Sequence, residues 1–149
     1  YTFTGAMGEG SSHALGLALG RPDKRVVLFD GDGSLLMTLG SLVTIANAAP
    51  KNYVHCLCEN GTYETNGSVP IPRAGQIRFV DMAKAAGYPK TYEFSNLWDW
   101  DYELDNILKE DGPIFADLKV EPGEAYPEDF RRLYSIEYRD KFREALKKS

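Results

Sequence analysis

Apolar residues in this chain gather in short unbroken runs. Residues 25–30 (Arg-Val-Val-Leu-Phe-Asp) and 53–58 (Tyr-Val-His-Cys-Leu-Cys) have the length and density of strands buried on both faces. Residues 114–120 repeat the pattern, and 91–94 form a shorter version of it. Between these runs the spacing is helical. Residues 9–19 are rich in small side chains, with Gly16 and Gly20 permitting close packing against a neighbour. Residues 35–48 read as one buried helix, stopped by Pro50. Further helices are predicted over 79–86, closed by Gly87, and over 98–109. Strands that alternate with helices predict a doubly wound α/β fold, a mainly parallel sheet with helices on both faces.

Two stretches depart from that rhythm. Residues 61–76 hold Gly67, Pro70, Pro72 and Gly75 and run too long for a plain connector, which predicts a lid or binding loop. In the tail, residues 127–149, Phe130, Leu133, Tyr134, Tyr138, Phe142 and Leu146 recur at helical intervals and predict an amphipathic helix. The organisation expected is one domain over 1–149, with 125–149 as a C-terminal helical extension.

Composition narrows the function classes. A chain of 149 residues with 43% hydrophobic and 26% charged residues has the make-up of an ordinary globular enzyme domain. A net charge of −5, with no basic run beyond Lys147-Lys148, argues against nucleic acid as a partner. No apolar run reaches the length of a membrane span, and the N-terminus lacks signal-peptide organisation, so a cytoplasmic protein is expected. The chain opens on Tyr1 and not on Met, which predicts that its natural N-terminus has been lost or removed. Cys56 and Cys58 lie two apart in a predicted strand, pointing to one face. They are too close to bridge each other and too few for zinc, so they read as small buried hydrophobes. His55, facing the other way, reads as structural or partly exposed.

The candidate chemistry sits where the two best strands end. After the first comes Gly31-Asp32-Gly33-Ser34, and after the second Glu59-Asn60-Gly61-Thr62-Tyr63. The carboxyl ends of parallel strands are where open α/β sheets bind ligands. A carboxylate and an amide oxygen are hard donors suited to Mg²⁺. Glycines let backbone N–H groups approach an anion closely, and a helix starting at the first cluster would favour one. The competing reading is plain turn chemistry, with Asn60-Gly61 as a hairpin turn. The apolar stretch after Ser34 is too long for a hairpin arm, so a Mg²⁺–phosphate site is the better reading. A third cluster, Gly5-Ala6-Met7-Gly8, is by its residues a glycine-rich turn entering a helix, with a spacing unlike the dinucleotide fingerprint.

These clusters resemble the thiamine-diphosphate-dependent enzymes, whose signature opens on Gly-Asp-Gly and closes on an Asn after a second strand. Within that family the likeness is to the sulfopyruvate and phosphonopyruvate decarboxylase group. It rests on residues 3–8, 31–42 and 60–63 and fades after Gly67. The resemblance implies Mg²⁺ held by Asp32, the Asn60 side-chain oxygen and the Thr62 carbonyl. It also implies thiamine diphosphate contacted by Gly31, Gly33, Ser34, Asn60, Gly61, Thr62 and Tyr63. Met7 matches the apolar prop beneath the bent cofactor, and Gly5 the carbonyl that accepts from its 4′-amino group; a packing role for Met7 is the alternative. Glu59 stands where a second Asn often stands. The family's activating Glu comes from a separate pyrimidine-binding domain, and Glu9, Glu59 and Glu64 do not lie in its context. The chain is therefore expected to be the diphosphate-binding half of a 2-oxo acid decarboxylase, acting with a pyrimidine-binding domain or alpha subunit in an oligomer. Arg73 is the candidate cation for an anionic substrate group. A carboligase of the acetolactate-synthase type would share every cofactor residue, and a non-catalytic assembly paralogue is a third possibility.

Overall fold

The apolar runs pair side by side in one direction. A computed structural model describes residue 2, residues 5–123 and residues 129–148, and its main sheet has four parallel strands in the order β1-β2-β6-β5. They are β1 (Val26–Gly31), β2 (Tyr53–Glu59), β5 (Lys90–Phe94) and β6 (Ile114–Lys119). Val26 lies opposite Tyr53, Val54 opposite Ile114 and Lys90 opposite Ile114. Parallel pairing puts the polar ends Gly31, Glu59 and Lys119 along one edge of the sheet.

Alternation along the strands sends side chains to two faces. Tyr53, Leu57 and Phe115 pack with residues of α1 (Gly10–Gly20), α2 (Asp32–Met37), α3 (Ser41–Ala48) and α4 (Phe79–Ala86). Val54, Cys56, Ile114 and Ala116 pack on the other face with Ile107 of α5 (Leu97–Lys109). Helices thus cover both faces, the doubly wound arrangement expected. Cys56 and Cys58 share a face and are free thiols; burial pushes the Cys56 thiol up to about 12. His55 is fully buried on the opposite face and so is not partly exposed.

Two predicted helices are each two. Residues 35–48 break between Met37 and Ser41, and the first piece begins at Asp32. Thr38 leaves the helix because its hydroxyl donates to the Gly8 carbonyl at 2.5 Å, and Met37 at 57% exposure is no core residue. The tail divides into α6 (Phe130–Leu133) and α7 (Ile136–Lys147). Ser135 breaks it, since its hydroxyl accepts from the Tyr138 N–H at 3.1 Å and so caps α7. Leu133, Tyr138, Phe142 and Leu146 are half-buried, whereas Tyr134 is exposed. The start of the tail at 127–128, its last residue 149 and the Phe130 side chain lie outside the described atoms. The described residues of Tyr1–Gly5 and Gly123–Ser149 form one compact unit, and Ala6–Pro122 form another.

The 61–76 stretch is built and not slack. β3 (Thr62–Tyr63) pairs antiparallel with β4 (Val69–Pro70), a 3-10 turn spans Glu64–Asn66, and Ile71 is buried in the core.

Candidate functional site

β1 runs directly into α2, so Asp32 is delivered at the sheet's carboxyl edge as the first residue of a short helix. Its carboxylate is 1% exposed. Oδ1 accepts from the Gly33 N–H at 2.8 Å, and Oδ2 accepts from the Gly61 N–H at 2.7 Å across 29 positions of sequence. Burial raises the Asp32 carboxyl above its ordinary range, the Gly61, Gly33 and Asn60 amides oppose that, and the Glu59 charge adds to it. An ionised Asp32 is therefore a desolvated anion that a hard cation would offset.

The second cluster forms an Asx turn. Asn60 Oδ1 accepts from the Thr62 N–H at 2.9 Å and from the Thr62 hydroxyl at 3.1 Å, while its Nδ2 donates to Glu64 Oε2 at 2.7 Å. Gly61 follows with φ +76°, a left-handed backbone that glycine adopts without strain. Because among the described residues β2 pairs with β1 and β6, Asn60-Gly61 does not turn a hairpin back onto β2.

The two clusters are closed over by Tyr63. A Cβ built on Gly33 would stand 2.5 Å from Tyr63 Cδ1, so only glycine fits beneath that ring. Ser34 gathers the third cluster: its Oγ accepts from the Gly8 N–H at 3.0 Å, leaving the hydroxyl proton to donate elsewhere. Gly8 has φ +91°. Met7 is half-buried, with its sulfur 4.0 Å from Asn66 Nδ2. Gly31 caps α2 in an extended conformation. Gly5 belongs to the terminal unit, where it packs against the Tyr134 ring. Arg73 is exposed and donates to Gln76 Oε1 at 3.2 Å within its own loop.

The Asp32 carboxylate and the Asn60 amide oxygen, joined through the Asp32–Gly61 hydrogen bond, are hard oxygen donors at one corner, and that chemistry fits a hard divalent cation. Among the described residues no group of three or more His, Cys, Asp or Glu side chains is arranged to hold a metal, so this mixed set is the candidate.

Sequence reasoning missed two polar networks beside the site. Lys119 Nζ meets Glu59 Oε2 at 2.5 Å and Asp117 Oδ2 at 2.8 Å. Burial pushes the Asp117 carboxyl up to about 7 against the pull of Lys119. The register Glu59–Lys119 and the two-residue alternation held the signal, but only once the pairing of β2 with β6 is known. The second network is buried: His55 Nε2 lies 3.4 Å from Asp30 Oδ2, and His55 Nδ1 lies 3.5 Å from the Tyr88 hydroxyl.

Residues 1–118 match the family "Thiamine pyrophosphate enzyme, C-terminal TPP binding domain". The beta subunit of sulfopyruvate decarboxylase from Methanothermobacter thermautotrophicus is 39% identical over 122 residues, covering 81% of this chain and 62% of that protein. Phosphonopyruvate decarboxylase from Streptomyces hygroscopicus is 37% identical over 123 residues, covering 83% of this chain and 30% of that protein. A weaker likeness, 28% over 135 residues, is to acetolactate synthase isozyme 1 large subunit from Escherichia coli, of which 24% is covered. Among solved structures, a putative thiamin diphosphate-dependent enzyme from Mycobacterium smegmatis superposes with a TM-score of 0.68 at 25% identity, over 80% of this chain and 23% of that one. The chain thus spans less than two thirds of the length of the relatives it matches.

Proposed function

The chain belongs to the thiamine pyrophosphate enzymes, as their C-terminal TPP binding domain, and from this we propose that it is the diphosphate- and Mg²⁺-binding half of a 2-oxo acid decarboxylase of the sulfopyruvate/phosphonopyruvate type. The observation that carries the reading is the Asp32 Oδ2···H–N Gly61 bond at 2.7 Å, which joins the two ends of the signature at one corner of the sheet. Asp32, Asn60 Oδ1 and the Thr62 carbonyl would hold Mg²⁺, whose charge would offset that of the diphosphate. Asn60 Oδ1, which now accepts from the Thr62 hydroxyl, would be one of the oxygens holding the cation. Ser34 donates its remaining proton to a phosphate oxygen, and the amides about Gly31, Gly33 and Gly61 line the approach. Tyr63 shields this corner from water, and Met7 is the candidate apolar prop for the pyrimidine ring.

Thiamine diphosphate, when bound, supplies the carbanion that adds to a 2-oxo acid and takes up the electron pair released with CO₂. This chain's residues anchor and orient it; the proton that activates it is moved by a Glu of a pyrimidine-binding partner. Two relatives named as beta subunits support a partner of that kind. The substrate carries an anionic group, for which Arg73 in the exposed loop is the candidate cation.

Purified chain, candidate pyrimidine-domain subunit, Mg²⁺ and thiamine diphosphate are mixed, and CO₂ release from sulfopyruvate, phosphonopyruvate and pyruvate is followed. Turnover is expected from the mixture and not from the isolated chain; equal turnover by the chain alone refutes the half-site. The likeness to acetolactate synthase supports a second reading, and acetolactate as the product from pyruvate would establish it.

A further inference from the structure

Glu59 ends β2 one residue before Asn60 and has no role in the site proposed above. It is nevertheless held at two points. Lys119 Nζ lies 2.5 Å from Glu59 Oε2, and the Val120 N–H donates to the Glu59 carbonyl at 3.0 Å. The same ammonium reaches Asp117 Oδ2 at 2.8 Å and Glu93 Oε2 at 3.5 Å, where Arg78 also approaches Glu93 at 3.4 Å. Lys119 therefore stands where the carboxyl ends of β2, β6 and β5 converge, with Arg78 beside it at Glu93. Asp117 is wholly buried, and its Oδ1 has no hydrogen-bond partner. That oxygen makes the corner depend on the lysine for its charge balance.

We infer that Lys119 is a positioning residue for the candidate cation site: its ammonium pins Glu59, and through Glu59 the turn that presents Asn60 Oδ1 and the Gly61 N–H to Asp32. The inference rests on the reading of Asp32 and Asn60 as the Mg²⁺–diphosphate corner. Without the ammonium, Glu59 and Asp117 lose the cation between them while Arg78 stays beside Glu93, and the two carboxylates repel to the extent that Asp117 is ionised. Asp117 is locked inside β6, paired on both sides by β2 and β5, and cannot swing away. Glu59 is the last residue of its strand, so the displacement falls on it and on the Asn60-Gly61 turn that follows. A shift of that turn moves Asn60 Oδ1 and loosens the Gly61 bond to Asp32. Outer-shell groups of this kind change metal affinity without touching the metal.

The test measures Mg²⁺-dependent binding of thiamine diphosphate by titration calorimetry in wild type and in Lys119→Met, Lys119→Arg, Glu59→Gln and the double variant Glu59→Gln/Lys119→Met. Lys90→Met is the control, since Lys90 pairs with Glu110 at 3.2 Å at the far edge of the sheet and is about as exposed, 37% against 31% for Lys119. Lys119→Met is expected to weaken Mg²⁺ binding about tenfold. Lys119→Arg restores most of the loss, because a guanidinium keeps the charge. Glu59→Gln weakens binding to a similar degree, and the double variant is no worse than either single one, since the two act through one contact. Lys90→Met leaves binding unchanged. Wild-type affinity in Lys119→Met, or an equal loss in Lys90→Met, overturns the inference while leaving the site reading intact. If Lys119→Met does not fold, Glu59→Gln decides, and wild-type affinity there is the overturning result. Absence of Mg²⁺-dependent binding in the wild-type chain refutes the site reading, and the inference with it.

Discussion

Asp32 and His55 are both buried acid–base groups, yet they serve different ends. Asp32 presents its carboxylate at the sheet edge with both oxygens already oriented by backbone amides, whereas His55 lies inside, between Asp30 and Tyr88. Asp32→Asn is expected to abolish Mg²⁺-dependent cofactor binding while the protein stays folded. His55→Ala should instead cost about 2–4 kcal/mol of stability, through a cavity and an unpaired Asp30, and leave cofactor affinity in the surviving fold near wild type. Denaturant titration beside calorimetry separates the two, and equal binding losses would contradict the assignment. Gly33→Ala probes the close approach of Tyr63. The added methyl must displace the ring, so binding should weaken by more than in Tyr63→Ala/Gly33→Ala, where the clash is gone.

Among the elements, the C-terminal end of α1 is tied to the sheet by a polar side chain as well as by apolar packing. Asn52 Nδ2 lies 3.1 Å from the Ala18 carbonyl, 2.9 Å from that of Arg21 and 2.7 Å from that of Lys24. The amide of a strand-entry residue thereby closes the C-terminal end of α1 and the connection to β1. Asn52→Ala should lower stability by about 1–3 kcal/mol, because the Ala18 and Lys24 carbonyls lose this donor while that of Arg21 keeps the Lys24 N–H. Thermal unfolding followed by circular dichroism measures it, and an unchanged midpoint would show that water replaces the amide. The division of residues 35–48 into α2 and α3 belongs to this scale too: Thr38 is tied to Gly8, so the break is a tertiary contact and not a weak helix former.

For the whole molecule, Asp117 couples stability to pH. Burial raises its carboxyl from 3.8 to about 7. Below pH ~4 the group is protonated folded or unfolded; between there and its folded value the native state holds a proton that the unfolded chain releases. This contribution to stability is full at the acid end and is lost as pH rises toward about 7, by on the order of 1 kcal/mol per pH unit. Asp117→Asn should therefore gain on wild type steadily from pH 4 to 7 in urea titrations. Parallel curves for the two proteins would contradict the shift.

The sequence by itself determined the order of strands and helices, the positions of Asp32 and Asn60 at strand ends, and the family. These are carried by local signals: dense apolar runs, glycines at turns and a motif short enough to read along the chain. The helix over Phe79–Ala86 closed by Gly87 needed nothing more. Only the tertiary structure decided which strands lie side by side, and with that the pairing of Glu59 with Lys119, 60 positions apart. It also decided that His55 is wholly buried, that Thr38 interrupts a helix, and that Ser135 divides the tail. The pairing, the burial and the Thr38 tie depend on partners distant in sequence or on several elements at once, which exist only in the folded chain. The Ser135 cap is instead a local signal that helical periodicity alone passes over.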